Sequence, residues 1–305
     1  MRISSQVKVL LGVLKFGILL ALILIAAFLF GIFWQQKFHA PLLNPTDTVL
    51  VLGHSHIENA IVDLPYPADQ IINLGAAGED YFYTYLKAKA LLSSANNITH
   101  AYISISNERF ESRRDTIAFN RSNLDVRWWK FLPFAGIQEW SILYEKSGLN
   151  FLYPCVFFLR NQLSLALTDR ESIPKMFDWG GFRANYSNGL DSMMNANQGK
   201  SYPVAFAVES NLSFEYLKKL VGLFQSKGIK VVLFRIPMHP AYPPLQNELF
   251  FQKAIQTHFP ETPFLDFQNI PMPNAHFADQ CHLNSSGAER FMVYFLSSIQ
   301  GVPVP

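Results

Sequence analysis

The chain has 305 residues, with 25 basic and 23 acidic side chains and a formal net charge of +2. Four of the basic residues lie in the first 40 positions, which leaves 21 basic and 23 acidic residues in 41–305. The pI of 8.4 therefore reflects the N-terminal region, and a near-neutral remainder without a basic patch excludes a nucleic-acid-binding protein. An oxidising compartment would permit one disulfide between Cys155 and Cys281, but two separate buried thiols are the simpler expectation.

The first element in chain order is a long apolar helix near the N-terminus. Phe16–Trp34 is a run of nineteen residues without a charge, long enough to cross the hydrocarbon core of about 30 Å. Arg2, Lys8 and Lys15 precede the run and only Lys37 follows it closely, so the positive-inside rule places the N-terminus in the cytoplasm. We predict an uncleaved single-pass anchor with a short tether over 1–40. A cleaved signal peptide is the alternative, although its apolar core is normally shorter.

The rest of the chain, 41–305, alternates strand and helix patterns. Strands are predicted from short, mainly apolar runs at Thr48–Leu52, Gln70–Leu74, Ala101–Ile105, Ile229–Ile236 and Pro263–Phe267. Helices are predicted from apolar residues at helical spacing at Tyr81–Leu92, Asn211–Gln225, Leu245–Thr257 and Ser285–Ile299. This alternation is typical of an α/β fold with a doubly wound, mainly parallel sheet of five strands.

The stretch 111–210 interrupts the alternation and is rich in aromatic residues. We predict an inserted, mainly helical segment within the α/β domain. It could be a cap that shapes a substrate site. It could equally be additional core with one face lying on the membrane near the anchor.

Polar residues follow the predicted strands directly. Ser55, Gly78 and Asn107 come after the first, second and third strands, and ligands of doubly wound sheets bind beyond the carboxyl ends of the strands. Asp279 and His282 form an Asp-x-x-His motif just before the last helix. A serine needs a base to take its proton, histidine does this near neutral pH, and a carboxylate can hold the imidazole in the required tautomer.

Four short motifs resemble those of the SGNH, or GDSL-like, esterase and acyltransferase superfamily. Gly53-His54-Ser55 resembles its Gly-Asp-Ser block, and Asn73-Leu74-Gly75-Ala76-Ala77-Gly78 resembles its Asn-x-Gly-x-x-Gly block. Ile105-Ser106-Asn107-Glu108 keeps only the Asn of Gly-x-Asn-Asp, and Asp279-Gln280-Cys281-His282 matches Asp-x-x-His. The resemblance covers residues 47–110 and 228–300 and does not cover 111–210. His54 in place of Asp and Ile105 in place of Gly depart from the family pattern.

The resemblance implies a role for each matching residue. Ser55 would be the nucleophile and His282 the base, oriented by Asp279. The Ser55 N–H, the Gly78 N–H and the Asn107 side-chain amide would form the oxyanion hole. The resemblance implies no metal and no cofactor.

The anchor and the resemblance to envelope-anchored members together predict an extracytoplasmic serine esterase or O-acyltransferase. Its expected substrate is an acyl ester, in the first place acetyl, of a cell-envelope glycan or lipid, and a multispanning membrane acyltransferase is a possible partner. His54, His56, Trp128, Trp129 and Trp179 are the candidate substrate-binding residues, because aromatic rings stack on sugar faces.

Two alternatives remain open. One is a non-catalytic binding or assembly component of the envelope on the same fold. The other is a metal-dependent hydrolase in which His54 and His56 bind a metal ion, since imidazole is a common zinc ligand.

Overall fold

The computed structural model describes residues 5–38, 47–62, 70–93, 97–167, 179–188, 190, 210–242 and 247–300. The strands are β1 Asp47–Leu52, β2 Gln70–Asn73, β3 His100–Ser104, β4 Lys230–Arg235 and β5 Phe264–Asp266. The helices are α1 Ser5–Phe38, α2 Ser55–Glu58, α3 Tyr81–Leu92, α4 Arg113–Ile117, α5 Arg121–Asn123, α6 Trp129–Phe131, α7 Ile137–Ser147, α8 Leu152–Leu167, α9 Asn211–Gln225, α10 Glu248–His258 and α11 Ser285–Gln300.

The described chain divides into two compact units. One comprises Met1–Ala40 with Leu124–Phe177, and the other comprises Pro41–Asn123 with Asp178–Pro305. The first is called the helical unit and the second the α/β unit. The predicted insertion 111–210 thus contributes to both units, since its middle part belongs with the N-terminal helix.

The α/β unit is built on a five-stranded sheet in the order β2-β1-β3-β4-β5. All four pairings are parallel, and the registers align Leu50 of β1 with Ile72 and Ala101 of its two neighbours. The predicted fold class is confirmed: the structure is α/β with a five-stranded parallel sheet. Because the strands are parallel, the residues that follow β1, β2, β3 and β4 all lie at one edge of the sheet.

The central strands are buried on both faces, which explains why their sequences read as continuous apolar runs. Residues 49–52 of β1 are at most 2% exposed. On one face of the sheet, Phe234 of β4 packs with Phe291 and Phe295 of α11 and with Phe267. This cluster fixes α11, and therefore the loop that precedes it, against the sheet.

The helices of the α/β unit follow from local signals in the sequence. At the start of α9, the hydroxyl of Ser210 accepts a hydrogen bond from the Ser213 N–H at 2.9 Å, a typical N-cap. The helix then buries Leu217, Leu220, Val221 and Phe224 on one face. Helices α3 and α9 have the predicted bounds, and α11 ends one residue later than predicted. Helix α10 begins at Glu248 after the N-cap residue Asn247 and ends at His258, one residue later than predicted, and the predicted start at Leu245 lies outside the described residues.

The helical unit combines α1 with the segments from 124 to 167. Residues Leu10–Gln36 of α1 form a stretch of 27 residues whose most apolar window of 18 residues has a mean hydropathy of 2.9, long and apolar enough to cross a membrane as an anchor or as a signal sequence. Phe28 packs edge-on against Phe158 of α8, with ring centroids 5.3 Å apart. The Gln35 side chain donates to the carbonyl oxygen of Lys130 at 2.8 Å.

Candidate functional site

Ser55 lies in a sharp turn that the sequence shapes with a glycine. Strand β1 ends at Leu52, and α2 begins at Ser55 itself. A Cβ atom on the intervening Gly53 would lie 2.8 Å from both Ile57 Cγ1 and Ser104 Cβ, so a larger residue would have to displace its neighbours. The turn therefore leaves the Ser55 hydroxyl at the carboxyl edge of the sheet, partly exposed.

The structure brings Ser55, His282 and Asp279 into one hydrogen-bonded chain. The Ser55 Oγ lies 2.8 Å from His282 Nε2. His282 Nδ1 lies 2.8 Å from Asp279 Oδ2 and 3.0 Å from Oδ1. The serine and the histidine are 227 positions apart in sequence, so only the fold brings them together.

Hydrogen bonds within the segment from Asp279 to His282 hold the Asp-x-x-His turn in place. Asp279 Oδ1 accepts from the N–H groups of Cys281 and His282, both at 2.8 Å. The Ala278 N–H donates to the His282 carbonyl at 2.9 Å, beside an antiparallel bridge between Phe277 and Leu283. The backbone thus holds the carboxylate against the imidazole before any ligand binds.

The protonation state of Asp279 defines the tautomer of His282. Burial alone would raise the pKa of Asp279, but hydrogen bonds from the His282 ring and from two backbone N–H groups hold that pKa well below its usual range. The carboxylate is therefore ionised at neutral pH and can only accept hydrogen bonds. Nδ1 of His282 must then be the donor to Asp279, which leaves the lone pair of Nε2 to accept from the Ser55 hydroxyl.

Gly78 and Asn107 lie at the same edge of the sheet. Gly78 adopts a positive φ of 68° in the turn between β2 and α3, a conformation that favours glycine. Asn107 follows β3 and is buried. Its Nδ2 donates to Glu248 Oε2 at 3.1 Å, and its Oδ1 accepts from Arg235 Nη1 at 2.9 Å. The donor role that the resemblance implies for Asn107 therefore depends on the second N–H of its amide.

Sequence reasoning missed a buried polar cluster beside the serine. His54 Nε2 lies 3.1 Å from Ser106 Oγ, which donates to Glu108 Oε1 at 2.7 Å. His56 Nε2 lies 4.0 Å from the same carboxylate oxygen, and its ring is edge-on to His282 with centroids 5.1 Å apart. The sequence does indicate this cluster by the positions of its residues. Ser106 and Glu108 follow β3 at the same edge of the sheet where His54 and Ser55 follow β1.

The structure buries both His54 and His56. His54 is 1% exposed and His56 is 3% exposed. Neither ring is at the surface, and their substrate-binding role stays a prediction. The two rings pack against each other with centroids 4.1 Å apart, and His56 also packs against His282.

Burial controls the charge of this cluster. Loss of water contact lowers the pKa of His56 to about 3, although the Glu108 carboxylate opposes the shift. Burial, together with Arg109, holds the pKa of His54 well below its usual value. For Glu108, burial would raise the pKa, but the surrounding charges, those of His56 when protonated and of Arg109 among them, lower it to about 2. Two neutral imidazoles thus lie beside an ionised carboxylate at neutral pH.

These shifts predict acid sensitivity. In the unfolded chain, His56 takes up a proton below its ordinary pKa of 6.5, whereas the folded protein resists this until about pH 3. The stability that His56 contributes is therefore present above pH 6.5 and is lost as the pH falls toward 3. One proton corresponds to a slope of about 1.4 kcal/mol per pH unit. We expect His56→Gln to make the decline in unfolding free energy between pH 6 and 4 shallower by about that amount.

The measurement is urea unfolding in detergent at several pH values. The difference between His56→Gln and the wild type at pH 8 gives the cost of altered packing, so only the slopes at lower pH are compared. Parallel slopes for the two proteins would contradict the assigned charge states.

The same residues form two groups with donor atoms that lie within 4.8 Å of one another: His54, His56 and Glu108, and His56, Cys281 and His282. The first group fits a metal ion poorly. A histidine that binds a metal normally donates its other N–H to a carboxylate or carbonyl, whereas His54 Nδ1 and His56 Nδ1 have no hydrogen-bond partner among the described residues. Moreover, Arg109 Nε already lies 3.6 Å from Glu108 Oε1 and supplies positive charge there.

The tryptophan residues divide between the two units. Trp128 and Trp129 belong to the helical unit, where they are 0% and 7% exposed, and Trp128 packs edge-on against Trp140. Both rings are thus buried within the described part of the helical unit, and their substrate-binding role stays a prediction. Trp179 is only partly buried and belongs to the α/β unit.

Residues 179–188, here called the strap, lie along the carboxyl edge of the sheet. The Gly181 N–H donates to the Gly75 carbonyl at 3.0 Å, and the Arg183 N–H donates to the Glu58 carbonyl at 2.7 Å. At its other end, the Asn185 carbonyl accepts from the Ser285 N–H at 2.8 Å. The strap thus connects the loop after β2, the helix of Ser55 and the start of α11.

Cys155 and Cys281 are both free thiols, and both are partly exposed rather than buried as expected. Cys281 Sγ lies 3.4 Å from His282 Nδ1. Burial raises the pKa of Cys281 far above its usual value, and the neighbouring Asp279 carboxylate adds to the effect. The Cys281 thiol is therefore uncharged at neutral pH. The anion that holds the His282 ring is the Asp279 carboxylate.

The fold and the residues at its edge define a doubly wound α/β protein with a serine, a histidine and an aspartate in one hydrogen-bonded chain. A protein-family model matches residues 184–302, less than half of the chain. No curated protein matches the sequence.

Two solved structures are similar to the chain. One, from Bacteroides fragilis NCTC 9343, is provisionally described as an acylhydrolase; it is 12% identical, with a TM-score of 0.39 and coverage of 88% of this chain and 93% of that chain. The other, from Streptococcus pneumonia, is provisionally described as a platelet activating factor; it is 12% identical, with a TM-score of 0.40 and coverage of 93% and 98%. Because both TM-scores are below 0.5, the similarity to these two structures is not evidence for the function of this chain.

Proposed function

We propose that the protein is a serine esterase or O-acyltransferase of the SGNH type, anchored in a membrane and acting on acyl esters of a cell-envelope glycan or lipid. The observation that carries the proposal is the chain of hydrogen bonds from Ser55 Oγ to His282 Nε2 and from His282 Nδ1 to Asp279, each with a contact of 2.8 Å. The ionised state of Asp279 supports it, because this state gives His282 the tautomer that a general base requires.

The proposed reaction proceeds through an acyl-enzyme. Ser55 Oγ attacks the ester carbonyl while its proton moves to His282 Nε2, and Asp279 stabilises the resulting imidazolium. The tetrahedral intermediate collapses, the C–O bond to the alcohol breaks, and the alcohol oxygen takes the proton from Nε2. His282 then takes a proton from water or from a sugar hydroxyl, whose oxygen attacks the acyl-enzyme and releases Ser55 with its proton restored.

The acyl group and its acceptor are the finer part of the proposal. We expect an acetyl group, and we expect a donor presented at the membrane by a multispanning acyltransferase. Water as the acceptor would make the protein an esterase, whereas a glycan hydroxyl would make it a transferase. Trp179, half-buried in the strap, is the most exposed of the three candidate tryptophan residues and could stack on a sugar acceptor.

A serine-directed fluorophosphonate tests the central claim. The probe should label the purified full-length protein once, and mass spectrometry of the peptides should place the label on Ser55. Labelling should be unaffected by EDTA. Failure to label a folded protein would favour a non-catalytic envelope component, and loss of esterase activity on EDTA treatment with recovery on zinc addition would favour the metal-dependent alternative.

The location of the α/β unit is a separate prediction. The basic residues Arg2, Lys8 and Lys15 precede the apolar run, so the C-terminus should lie outside the cytoplasm. An alkaline phosphatase fused after Pro305 should be active, and a green fluorescent protein fused there should be dark. A fluorescent fusion would contradict this topology, and release of a shortened soluble protein after a carbonate wash would show that the anchor is cleaved.

A further inference from the structure

The helical unit carries an exposed apolar stripe. Leu149, Leu152, Tyr153, Val156 and Phe157 lie at spacings of three and four residues, so they share one face of α8 and of the turn before it. All five are exposed, Leu149 by 70% and Val156 by 65%. A stripe with this spacing is normally the face that a helix buries, and a contiguous exposed patch of this kind marks an interaction surface.

The opposite face of α8 is fixed against the N-terminal helix. Phe158 is fully buried and packs edge-on against Phe28 of α1. On the same side of α1, Gly31 is buried and the buried Gln35 donates to the Lys130 carbonyl. Residues 10–27 of α1 are all exposed. The helical unit therefore packs around only the second half of the apolar helix.

This contact determines the depth of α8 in a bilayer that α1 spans. Trp34 closes the apolar run and suits the membrane–water interface. Phe28 lies six residues earlier, about 9 Å deeper at 1.5 Å per residue. Phe158 packs against Phe28, so the part of α8 around Phe158 must lie at the depth of the lipid acyl chains as well. Water cannot cover the stripe at that depth.

We infer that α8 is a second membrane-embedded element and that the stripe from Leu149 to Phe157 contacts lipid acyl chains in the leaflet on the Trp34 side. The inference rests on the proposed membrane anchoring of α1 and is independent of the chemistry at Ser55. A helix is one of the few conformations suited to this position, because its backbone groups are bonded within the segment.

The residues around the stripe fit a lipid environment. Arg160 is exposed one turn after Val156, and its guanidinium lies 5.6 Å from the centroid of the Phe157 ring. Long basic side chains of this kind run along apolar surface and place their charge among lipid headgroups. Tyr153 is also suited to the interface, since its ring is apolar and its hydroxyl is polar. A protein partner would have to replace lipid along the whole stripe.

Nitroxide accessibility in the full-length protein tests the inference. Cys155 and Cys281 are first replaced by Ser, and single cysteines are then introduced at Val156, at Leu152 as a second position, at Ile23 of α1 and at Lys218 of α9. Each labelled protein is reconstituted in vesicles of phosphatidylcholine and phosphatidylglycerol. Collision rates with oxygen, which concentrates in the acyl region, and with a water-soluble nickel chelate are then measured.

Labels at Val156 and Leu152 should have an oxygen-to-nickel ratio several-fold above that of Lys218 and similar to that of Ile23. A ratio at Val156 and Leu152 equal to that of Lys218 would overturn the inference, because the stripe would then face water. Shielding of both labels from both reagents would also overturn it, in favour of a protein partner or a second copy of the chain. A water-exposed label at Ile23 would instead refute the anchoring of α1.

Discussion

Replacing Ser55 by alanine should reduce turnover of p-nitrophenyl acetate by at least about 10³-fold, because the hydroxyl that becomes acylated is removed while the binding groups stay in place. The melting temperature should barely change. Ser55 is partly exposed, and the loss of one hydrogen bond to His282 costs only about 1 kcal/mol. Activity and thermal unfolding of the purified full-length protein are the two measurements.

His282→Ala should have a similar effect, and the double variant should be little worse than either single variant, because groups that act as one unit are strongly non-additive. Ser226→Ala is the matched control, since Ser226 is an exposed serine at the end of α9. Additive losses would indicate that Ser55 and His282 act independently. Full activity of Ser55→Ala would refute the acyl-enzyme.

The sequence predicts the α/β unit well because its signals are local. Apolar runs bounded by turn residues locate β1 to β5, and the cap residue Ser210 with a helical apolar stripe locates α9. Ser55 and His282 can be placed at one edge because parallel strands share their carboxyl ends. The 2.8 Å distance between Ser55 Oγ and His282 Nε2 could not be predicted from the sequence, because it depends on the packing of α11 on the sheet.

The remaining features depend on contacts between distant segments. Nothing local distinguishes a tryptophan that stacks on a sugar from one that fills a core, so the burial of Trp128 and Trp129 could not be predicted. The contact of Phe28 with Phe158 joins segments 130 residues apart. Because of this contact, part of the predicted insertion belongs to the helical unit and part to the α/β unit. No sequence pattern within 111–210 predicts that division.

Arg235 is the clearest case of a residue that only the structure explains, and its replacement should have the largest effect on stability. It ends the apolar strand β4 and is 1% exposed. Its guanidinium makes two paired contacts, with both carboxylate oxygens of Glu248 at 2.6 and 2.9 Å and with both of Asp266 at 2.6 and 3.0 Å. It also donates to Asn107 and lies 4.5 Å from the Phe251 ring centroid.

We expect Arg235→Met to lower the unfolding free energy at pH 7 by about 3 kcal/mol, because two carboxylates lose their common partner. Because Glu248 and Asp266 are partly exposed, water can hydrate their carboxylates in the variant, which reduces the loss of unfolding free energy. Arg235→Lys should recover little, since an ammonium cannot form two paired contacts. Lys146→Met is the control for an exposed pair: its ion pair with Glu145 is 38% exposed on the lysine side and 73% on the glutamate side, and should contribute less than about 1 kcal/mol.

The pH dependence separates the lost ion pairs from lost packing. Burial would raise the pKa of Glu248, but hydrogen bonds from Arg235 and other donors lower it to about 2. The stability that this carboxylate contributes is therefore present above its ordinary pKa of 4.5 and is lost as the pH falls toward 2. In Arg235→Met that contribution is absent, so its stability should decline less steeply over this range than that of the wild type. Parallel declines would assign the loss to packing alone.

Arg235 also connects the stability of the sheet edge to the chemistry proposed there. It orients the Asn107 amide, whose second N–H is the donor implied for the oxyanion hole. Releasing that amide should lower kcat for p-nitrophenyl acetate while KM changes little, because an oxyanion donor acts mainly in the transition state. Asn107→Ala should reproduce the loss of kcat with a smaller loss of stability. An unchanged kcat in a folded Asn107→Ala protein would remove Asn107 from the proposed oxyanion hole and leave Arg235 a purely structural role.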